Sequence, residues 1–209
     1  MSKTAAIVVN YNGSDDTIEC VKSLFDQSVP IYKIIIVDND SPNNDYEVLK
    51  EKFSSNTHIV VLKSPKNGGF AYGNNLGIKY AMEKFKPDFL LLINNDTISD
   101  KDLHKELLET YENFKDKQVG IVTGKIYYYH KKNKIWFAGG YFPKFRCSGY
   151  HFNFDRYDNG KVDKVKEITF ATGCLWFVPA LVFEKVGLLP EEYFMYLEDT
   201  DSDQVHYCV

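Results

Sequence analysis

The segment spanning residues 89–97 constrains the fold of this chain more than any other. Five consecutive apolar residues run directly into two amides, a carboxylate and a hydroxyl, namely Asn94, Asn95, Asp96 and Thr97. A short continuous apolar run is typical of a strand buried on both faces, as in the middle of a parallel sheet. Open α/β sheets bind ligands beyond the carboxyl ends of such strands. The segment therefore predicts Asp96 at the mouth of a crevice, although a solvated turn after a core strand explains the same residues equally well.

Length and charge narrow the classes of protein to consider. With 209 residues, the chain is long enough for one well-buried core and is expected to form a single domain. The net charge of −4 leaves no dominant basic face, which disfavours nucleic acid as a partner. The four cysteines are widely spaced and form no Cys-x-x-Cys pair, which favours reduced thiols in a cytoplasmic protein. No apolar run reaches the length of a membrane span, so we expect no transmembrane segment.

Strands and helices are predicted to alternate over the first half of the chain. Apolar runs predict strands at residues 3–10, 34–38, 58–62 and 89–93. Between them, helical patterns are expected from a cap at Ser14, near residues 46–53, up to about Phe85, and over residues 100–114. A glycine-rich loop at residues 67–77 is predicted to lead into the third helix. This alternation is typical of a mostly parallel sheet flanked by helices.

The pattern changes after Val119. Strands are predicted at residues 119–129, 135–141 and 162–172, separated by polar loops, and only residues 180–186 look helical. We interpret this part as a small antiparallel extension of the same α/β domain.

Three further motifs could take part in binding or catalysis. Asp38 ends the second predicted strand and could accept a hydrogen bond from a base or a ribose hydroxyl, although the sequence around it is also ordinary turn chemistry. Gly68 and Gly69 could bring backbone close to a diphosphate at a helix N-terminus, or simply form a loop. Residues 193–201 place aromatic rings before three carboxylates, a pattern that suits either a general base or a solvated acidic turn.

In their order and spacing, these motifs resemble family 2 glycosyltransferases with the GT-A fold. The resemblance covers the chain from Ala5 to Asp201. It is carried by the segments 7–12, 37–41, 67–71 with 74–77, 92–97, 172–173 and 194–201. The Asn-Asn-Asp variant and the tract from Asn67 to Gly77 look most like the rhamnosyltransferase-type branch, whose members build bacterial surface polysaccharides.

The resemblance implies a donor site at the strand ends. Asp38 would hold the nucleobase, with Tyr11 and Asn12 near the nucleoside. Asn67 and Gly69 would line the nucleotide or the donor sugar.

The resemblance also implies a metal ligand and a catalytic pair. The segment Asn94-Asn95-Asp96 would replace the family's Asp-x-Asp motif, with Asp96 as the carboxylate that binds Mg²⁺ or Mn²⁺. Asp199, in the pair Glu198-Asp199, would be the general base.

The implied activity is an inverting transfer of a sugar from a nucleoside-diphosphate donor to a saccharide or lipid-linked acceptor. Residues 1–115 would form the nucleotide-sugar-binding half and residues 116–209 the acceptor side. A cytoplasmic location is implied, with peripheral association at the inner face of the cell membrane as a further option.

The resemblance weakens after Asp201. The family normally continues into an Arg-bearing helix and further C-terminal helices, whereas only residues 202–209 follow here. Two alternatives therefore stay open. One is a truncated or degenerate relative that binds nucleotide without catalysis. The other is a sugar-phosphate nucleotidyltransferase, although such enzymes usually carry a basic phosphate loop where this chain has Asp15 and Asp16.

Overall fold

A computed structural model describes residues 2–141, 150–194 and 207–208. The strands are β1 Thr4–Asn10, β2 Lys33–Asp38, β3 Ile59–Lys63, β4 Phe89–Asn94, β5 Val119–Ile121, β6 Ile126–Tyr128, β7 Lys131–Phe137, β8 Gly140–Tyr141, β9 Tyr150–His151, β10 Leu175–Pro179 and β11 Tyr207–Cys208. The helices are α1 Ser14–Phe25, α2 Asp45–Phe53, α3 Gly69–Phe85, α4 Leu103–Phe114 and α5 Ala180–Val186, with a 3-10 turn at Lys115–Lys117.

Five strands form the central sheet in the order β10-β4-β1-β2-β3. The first four strands in the sequence are parallel, and β10 runs antiparallel to β4 with Leu175 opposite Ile93. The strands β6 and β7 form a separate antiparallel hairpin. The prediction of a mostly parallel α/β sheet with a small antiparallel part is therefore confirmed.

The sheet is buried on both faces. On β1, Ala5 and Ile7 pack into the core beneath α3, while Ala6 and Val8 pack into the core beneath α1. Because β1 and β4 are fully covered by neighbours, their apolar runs can be continuous rather than alternating. This burial fixes the carboxyl ends of both strands.

The prediction of a glycine-rich loop over residues 67–77 is wrong beyond residue 68. Helix α3 already begins at Gly69, so Gly73 and Gly77 lie inside the helix. A Cβ atom at Gly77 would stand 2.5 Å from Cγ2 of Ile7, and one at Gly73 would stand 2.7 Å from Cγ1 of Val9. The two glycines, one helical turn apart, let α3 pack directly against β1.

Three other expectations are corrected. Ser14 is the first residue of α1 rather than its cap, and its N–H donates to Asp45 (3.1 Å). Helix α4 begins at Leu103 instead of residue 100. Residues 162–172 form no named strand, only isolated bridges such as that of Phe170 with Gly140. The strand β10 was not predicted, although Pro179 separates its apolar run from that of α5.

Candidate functional site

The carboxyl ends of three neighbouring strands meet at one edge of the sheet. Asn10 at the end of β1 is opposite Asp38 at the end of β2, and Val9 is opposite Asn94 at the end of β4. The segments predicted to bind a ligand therefore lie side by side. This is the edge at which open α/β sheets bind their ligands.

Asp38 is held by a buried hydrogen-bond network. Its Oδ1 accepts from the Asn10 amide (2.9 Å) and from the Ser41 hydroxyl (2.6 Å), and its Oδ2 accepts from the Ser41 N–H (3.2 Å). The Asn10 amide also donates to Asp45 at the start of α2 (3.1 Å). Asp38 has 0% exposure, so contact with a nucleobase would require the side chains that cover it to move.

Tyr11 and Asn12 border this network. Asn12 has a left-handed backbone (φ 54°), and its N–H donates to the Ser41 hydroxyl (3.1 Å). The Tyr11 side chain is 48% exposed. The structure thus brings both residues next to the loop that follows β2 and leaves the Tyr11 ring available to an outside molecule.

Asn67 and Gly69 are joined to the same loop through Asn39, a residue that sequence reasoning did not single out. The Asn39 amide donates to Asn67 Oδ1 and to the Gly69 carbonyl, both at 3.0 Å. Asn67 Oδ1 also accepts from the Gly69 N–H (3.1 Å). The Oδ1 atom of Asn39 is buried and has no hydrogen-bond partner among the described residues. A buried acceptor of this kind usually has a partner, and a ligand could supply the donor only if the groups that cover this atom moved.

A second chain of hydrogen bonds ties the end of β4 to β1. The Asn95 amide donates to the Thr17 hydroxyl (3.0 Å), which in turn donates to Asn10 Oδ1 (2.7 Å). The backbone of Asn94 is fixed on both sides, by Thr97 (2.8 Å) and by Cys174 (3.0 Å). The turn that carries Asp96 is therefore anchored to the centre of the sheet.

Asp96 itself is exposed and accepts no hydrogen bond from any described residue. Its carboxylate is free to bind a cation, in contrast to the fully bonded Asp38. Within residues 2–141 and 150–194, no group of three or more His, Cys, Asp or Glu side chains could hold a metal ion. A cation at Asp96 would take its remaining ligands from water and from a bound phosphate-bearing molecule, which is how Mg²⁺ is usually held at substrate phosphates.

Two thiols lie beneath this turn, that of Cys20 buried and that of Cys174 partly buried. The Cys20 thiol contacts the Asn94 carbonyl (3.6 Å) and Thr97 (3.7 Å), and Cys174 immediately precedes β10. Burial raises the pKa of each thiol to about 12, and the charge of Asp96 contributes in the same direction. Neither thiol is therefore a nucleophile near neutral pH.

The predicted catalytic residues Glu198 and Asp199 lie outside the described residues. The chain leads toward them from Phe194, whose carbonyl accepts a hydrogen bond from the Phe70 N–H (3.1 Å). Gly68 and Gly69 were interpreted either as a helix N-terminus close to a diphosphate or as a plain loop. The Phe70 N–H is already bonded to protein.

Surface cavities lie away from the strand ends. A polar depression of about 430 Å³ is formed by the loop around Arg156 and Tyr157, and a small apolar cavity lies beneath α5. Neither is lined by a predicted site residue. No helix within the described ranges is both long and apolar enough to cross a membrane.

The family model of glycosyl transferase family 2 matches residues 5–187. The chain therefore belongs to this family. The match begins in β1, ends just after α5, and includes all of the strand ends described above.

Curated relatives are glycosyltransferases. The chain is 25% identical over 198 residues to the low-salt glycan biosynthesis hexosyltransferase Agl10 of Haloferax volcanii, covering 93% of this chain and 58% of the relative. It is 27% identical over 135 residues to the glycosyltransferase GlyG of Streptococcus pneumoniae, covering 64% of this chain and 42% of the relative. The chain thus spans about half the length of the curated relatives it matches.

A solved structure shows the same fold. The mannosyltransferase PcManGT from Pyrobaculum calidifontis, in complex with GDP-Man and Mn²⁺, superposes with a TM-score of 0.69 at 12% identity. The superposition covers 100% of this chain and 54% of that protein. The fold is the GT-A fold, as the sequence resemblance implied.

Proposed function

We propose that this chain is a catalytic domain that transfers a sugar from a nucleoside-diphosphate donor to a saccharide or lipid-linked acceptor. Family membership and the GT-A fold support a glycosyltransferase. The observation that carries the proposal is the contrast at the strand ends. Asp38, Asn67 and the Asn94-Asn95 pair are tied into one hydrogen-bonded edge, whereas Asp96 beside them is exposed and accepts no bond from the part of the chain that the structure describes. Such an edge is suited to orient a nucleotide next to a free metal-binding carboxylate.

Different residues at this edge would bind different parts of the donor. The Tyr11 ring and the loop around Asp38 would contact the nucleoside, and Asn67 with Gly69 would line the diphosphate or sugar. The unpaired Oδ1 atom of Asn39 would accept a hydrogen bond from the donor. These contacts hold the donor so that its anomeric carbon faces the acceptor side, which is a large part of rate enhancement.

Asp96 would hold Mg²⁺ or Mn²⁺ in the loaded enzyme. The exposed carboxylate, which accepts no hydrogen bond from a described residue, fits a cation that shares its coordination with phosphate oxygens and water. The bound cation would neutralise charge on the departing nucleoside diphosphate.

The proposed reaction is a single displacement at the anomeric carbon. The acceptor hydroxyl oxygen forms the new bond to that carbon while the bond to the diphosphate oxygen breaks, so the configuration inverts. Asp199 takes the proton of the attacking hydroxyl, and the nucleoside diphosphate leaves with the bonding electrons. Glu198 would lie beside the base. Both roles rest on the resemblance of residues 194–201 to the family.

Thermal unfolding with nucleotides tests the donor site directly. The chain is heated with UDP, dTDP, GDP or CDP, each with and without Mn²⁺, because a ligand that binds only the native state raises the melting temperature. We expect a Mn²⁺-dependent rise with one nucleotide. The absence of a rise with all four would contradict the proposed donor site.

Product analysis separates the alternatives. Release of nucleoside diphosphate from a sugar nucleotide supports the transferase, whereas pyrophosphate from a nucleoside triphosphate would support a nucleotidyltransferase. Nucleotide binding without donor turnover, across a broad panel of acceptors, would support a non-catalytic relative.

A further inference from the structure

Asn75 is a buried amide of α3 whose side chain bonds entirely to the segment 189–194. Its Nδ2 donates to the Leu189 carbonyl (2.9 Å) and to the Glu191 carboxylate (2.8 Å), and its Oδ1 accepts from the Leu189 N–H (3.0 Å). Only 1% of Asn75 is exposed. One side chain thus bonds both backbone groups of Leu189, as a neighbouring strand would.

The other end of this segment is fixed by the first turn of the same helix. The Phe70 N–H donates to the Phe194 carbonyl (3.1 Å). Gly69, next to it, has a left-handed φ of 84° and lies directly against Phe194. The segment is therefore held by α3 at both ends, through Asn75 and through Phe70.

Helix α3 also begins at the donor loop, the residues 67–69 that are predicted to line the nucleotide or the donor sugar. Asn67 precedes the helix and is bonded to Gly69 and Asn39. At the far end of the segment, Glu198 and Asp199 follow Phe194 by four and five residues in the sequence. One rigid helix thus contacts both the donor loop and the stretch of chain that leads to the predicted base.

We propose that Asn75 is a positioning residue of the transfer reaction, because it fixes the segment 189–194, which precedes Glu198 and Asp199 in the sequence, relative to the donor loop. This inference rests on the proposed function. Asn75 belongs to the tract that resembles the family, but the sequence assigns it no role. Its partners are 114 and 116 residues away, so only the tertiary structure shows what it does.

Loss of the Asn75 side chain is expected to disturb the alignment of the base with the anomeric carbon. Removing the Asn75 amide leaves the buried N–H and carbonyl of Leu189 without partners, which favours release of the segment. Transfer requires the base and the anomeric carbon to be aligned, and a displacement of about 1 Å can slow a reaction by about 100-fold. The donor loop keeps its own bonds through Asn39. Loss of Asn75 should therefore reduce kcat and leave donor binding largely intact.

The test compares Asn75→Ala with Asn74→Ala. Asn74 is equally buried, at 2% exposure, and lies on the same helix, but its amide donates to the Phe70 carbonyl of α3 itself (3.0 Å). Both variants lose a buried amide from α3, and only one loses contact with the segment. Glu191→Ala is a milder third variant, because it leaves both bonds between Asn75 and the Leu189 backbone in place. It removes the bond to Asn75 and an ion pair with Lys79 (3.8 Å) from a partly exposed side chain.

Two measurements are made on the full chain: hydrogen–deuterium exchange of peptides covering residues 187–199, and steady-state transfer kinetics. For Asn75→Ala we expect faster exchange in these peptides and a fall in kcat of at least about tenfold, with the donor KM within about threefold of wild type. Asn74→Ala should show neither change, and Glu191→Ala should fall between the two. If Asn75→Ala does not fold, Glu191→Ala still has to show faster exchange and a lower kcat.

The inference is overturned if Asn75→Ala matches Asn74→Ala in exchange and kcat. It is also overturned if the donor KM rises while kcat is unchanged, because Asn75 would then act on donor binding. A wild-type chain that transfers no sugar would count against the proposed function, whereas the exchange data would still report whether Asn75 fixes the segment. An active wild type with an unaffected Asn75→Ala would count against this inference alone.

Discussion

Gly69 leaves no room for a side chain beside Phe194. A Cβ atom at Gly69 would lie 1.9 Å from the Phe194 carbonyl oxygen, far inside van der Waals contact. The left-handed φ of 84° at Gly69 also disfavours any other residue. The N-terminus of α3 and the segment that leads to Glu198 and Asp199 are therefore in direct backbone contact.

Gly69→Ala should destabilise the protein and displace Phe194. The left-handed backbone alone costs about 1–3 kcal/mol for a non-glycine residue, and the clash with the Phe194 carbonyl adds to it. We expect the free energy of unfolding, measured by urea denaturation, to fall by more than this backbone cost alone.

Gly187→Ala is the matched control for this substitution. Gly187 also has a positive φ, of 98°, but a Cβ atom there would meet nothing within 4 Å. The difference between the two variants isolates the contact with Phe194. Equal decreases in the free energy of unfolding in the two variants would show that the contact with Phe194 contributes nothing to stability.

Asp96→Asn should abolish the metal-dependent part of nucleotide binding without affecting stability. The Asp96 carboxylate is exposed and accepts no hydrogen bond from the described residues, so its replacement should change the free energy of unfolding by less than about 0.5 kcal/mol. We expect the rise in melting temperature with UDP or GDP and Mn²⁺ to fall to the value without Mn²⁺. Asp116→Asn, at an exposed acid of the 3-10 turn, is the control. An unchanged Mn²⁺-dependent rise in Asp96→Asn would refute Asp96 as the ligand.

Asp199→Asn should reduce transfer and leave nucleotide binding intact. A general base typically contributes about 10²–10⁴-fold to the rate, so kcat should fall by a factor in this range. The Mn²⁺-dependent rise in melting temperature with nucleotide should match that of wild type. Asp203→Asn serves as a control for removing a nearby charge. Near-normal turnover by a folded Asp199→Asn protein would show that another group is the base.

The thiols of Cys20 and Cys174 should be unreactive in the native protein. Burial raises the pKa of each from its ordinary value of 9.0 to about 12, so neither forms appreciable thiolate at pH 8. Iodoacetamide labelling followed by mass spectrometry should modify both thiols in urea and neither under native conditions. Equal labelling of Cys20 in the two conditions would contradict its burial.

The raised pKa of the two thiols also makes the free energy of unfolding depend on pH in alkaline solution. Well below pH 8 both thiols are protonated in the native and unfolded chains, so they contribute no pH dependence there. Between about pH 9 and pH 12 the unfolded chain releases these protons while the native chain keeps them, so the free energy of unfolding falls as pH rises. The Cys20→Ala/Cys174→Ala variant should show a shallower fall between pH 8 and pH 10 than wild type.

The sequence by itself determined the parallel sheet and the edge at which the site forms. Short apolar runs such as residues 34–37 and 89–93, alternating with helical patterns, favour buried parallel strands, and the polar residues that follow them then emerge at one edge. For this reason Asp38 and Asp96 were placed correctly at strand ends on the same edge of the sheet, on either side of β1. Their motifs are local, and local patterns are visible in a linear sequence.

Only the tertiary structure decided which of these residues are free and which are bonded. It buried Asp38 beneath Asn10 and Ser41, left Asp96 exposed, and assigned Gly73 and Gly77 to the packing of α3 on β1. It also paired Asn75 with Leu189, 114 residues away. Hydrogen bonds and close packing between such distant residues depend on the three-dimensional path of the chain. Hydrophobic periodicity, which acts over a few residues, carries no information about them.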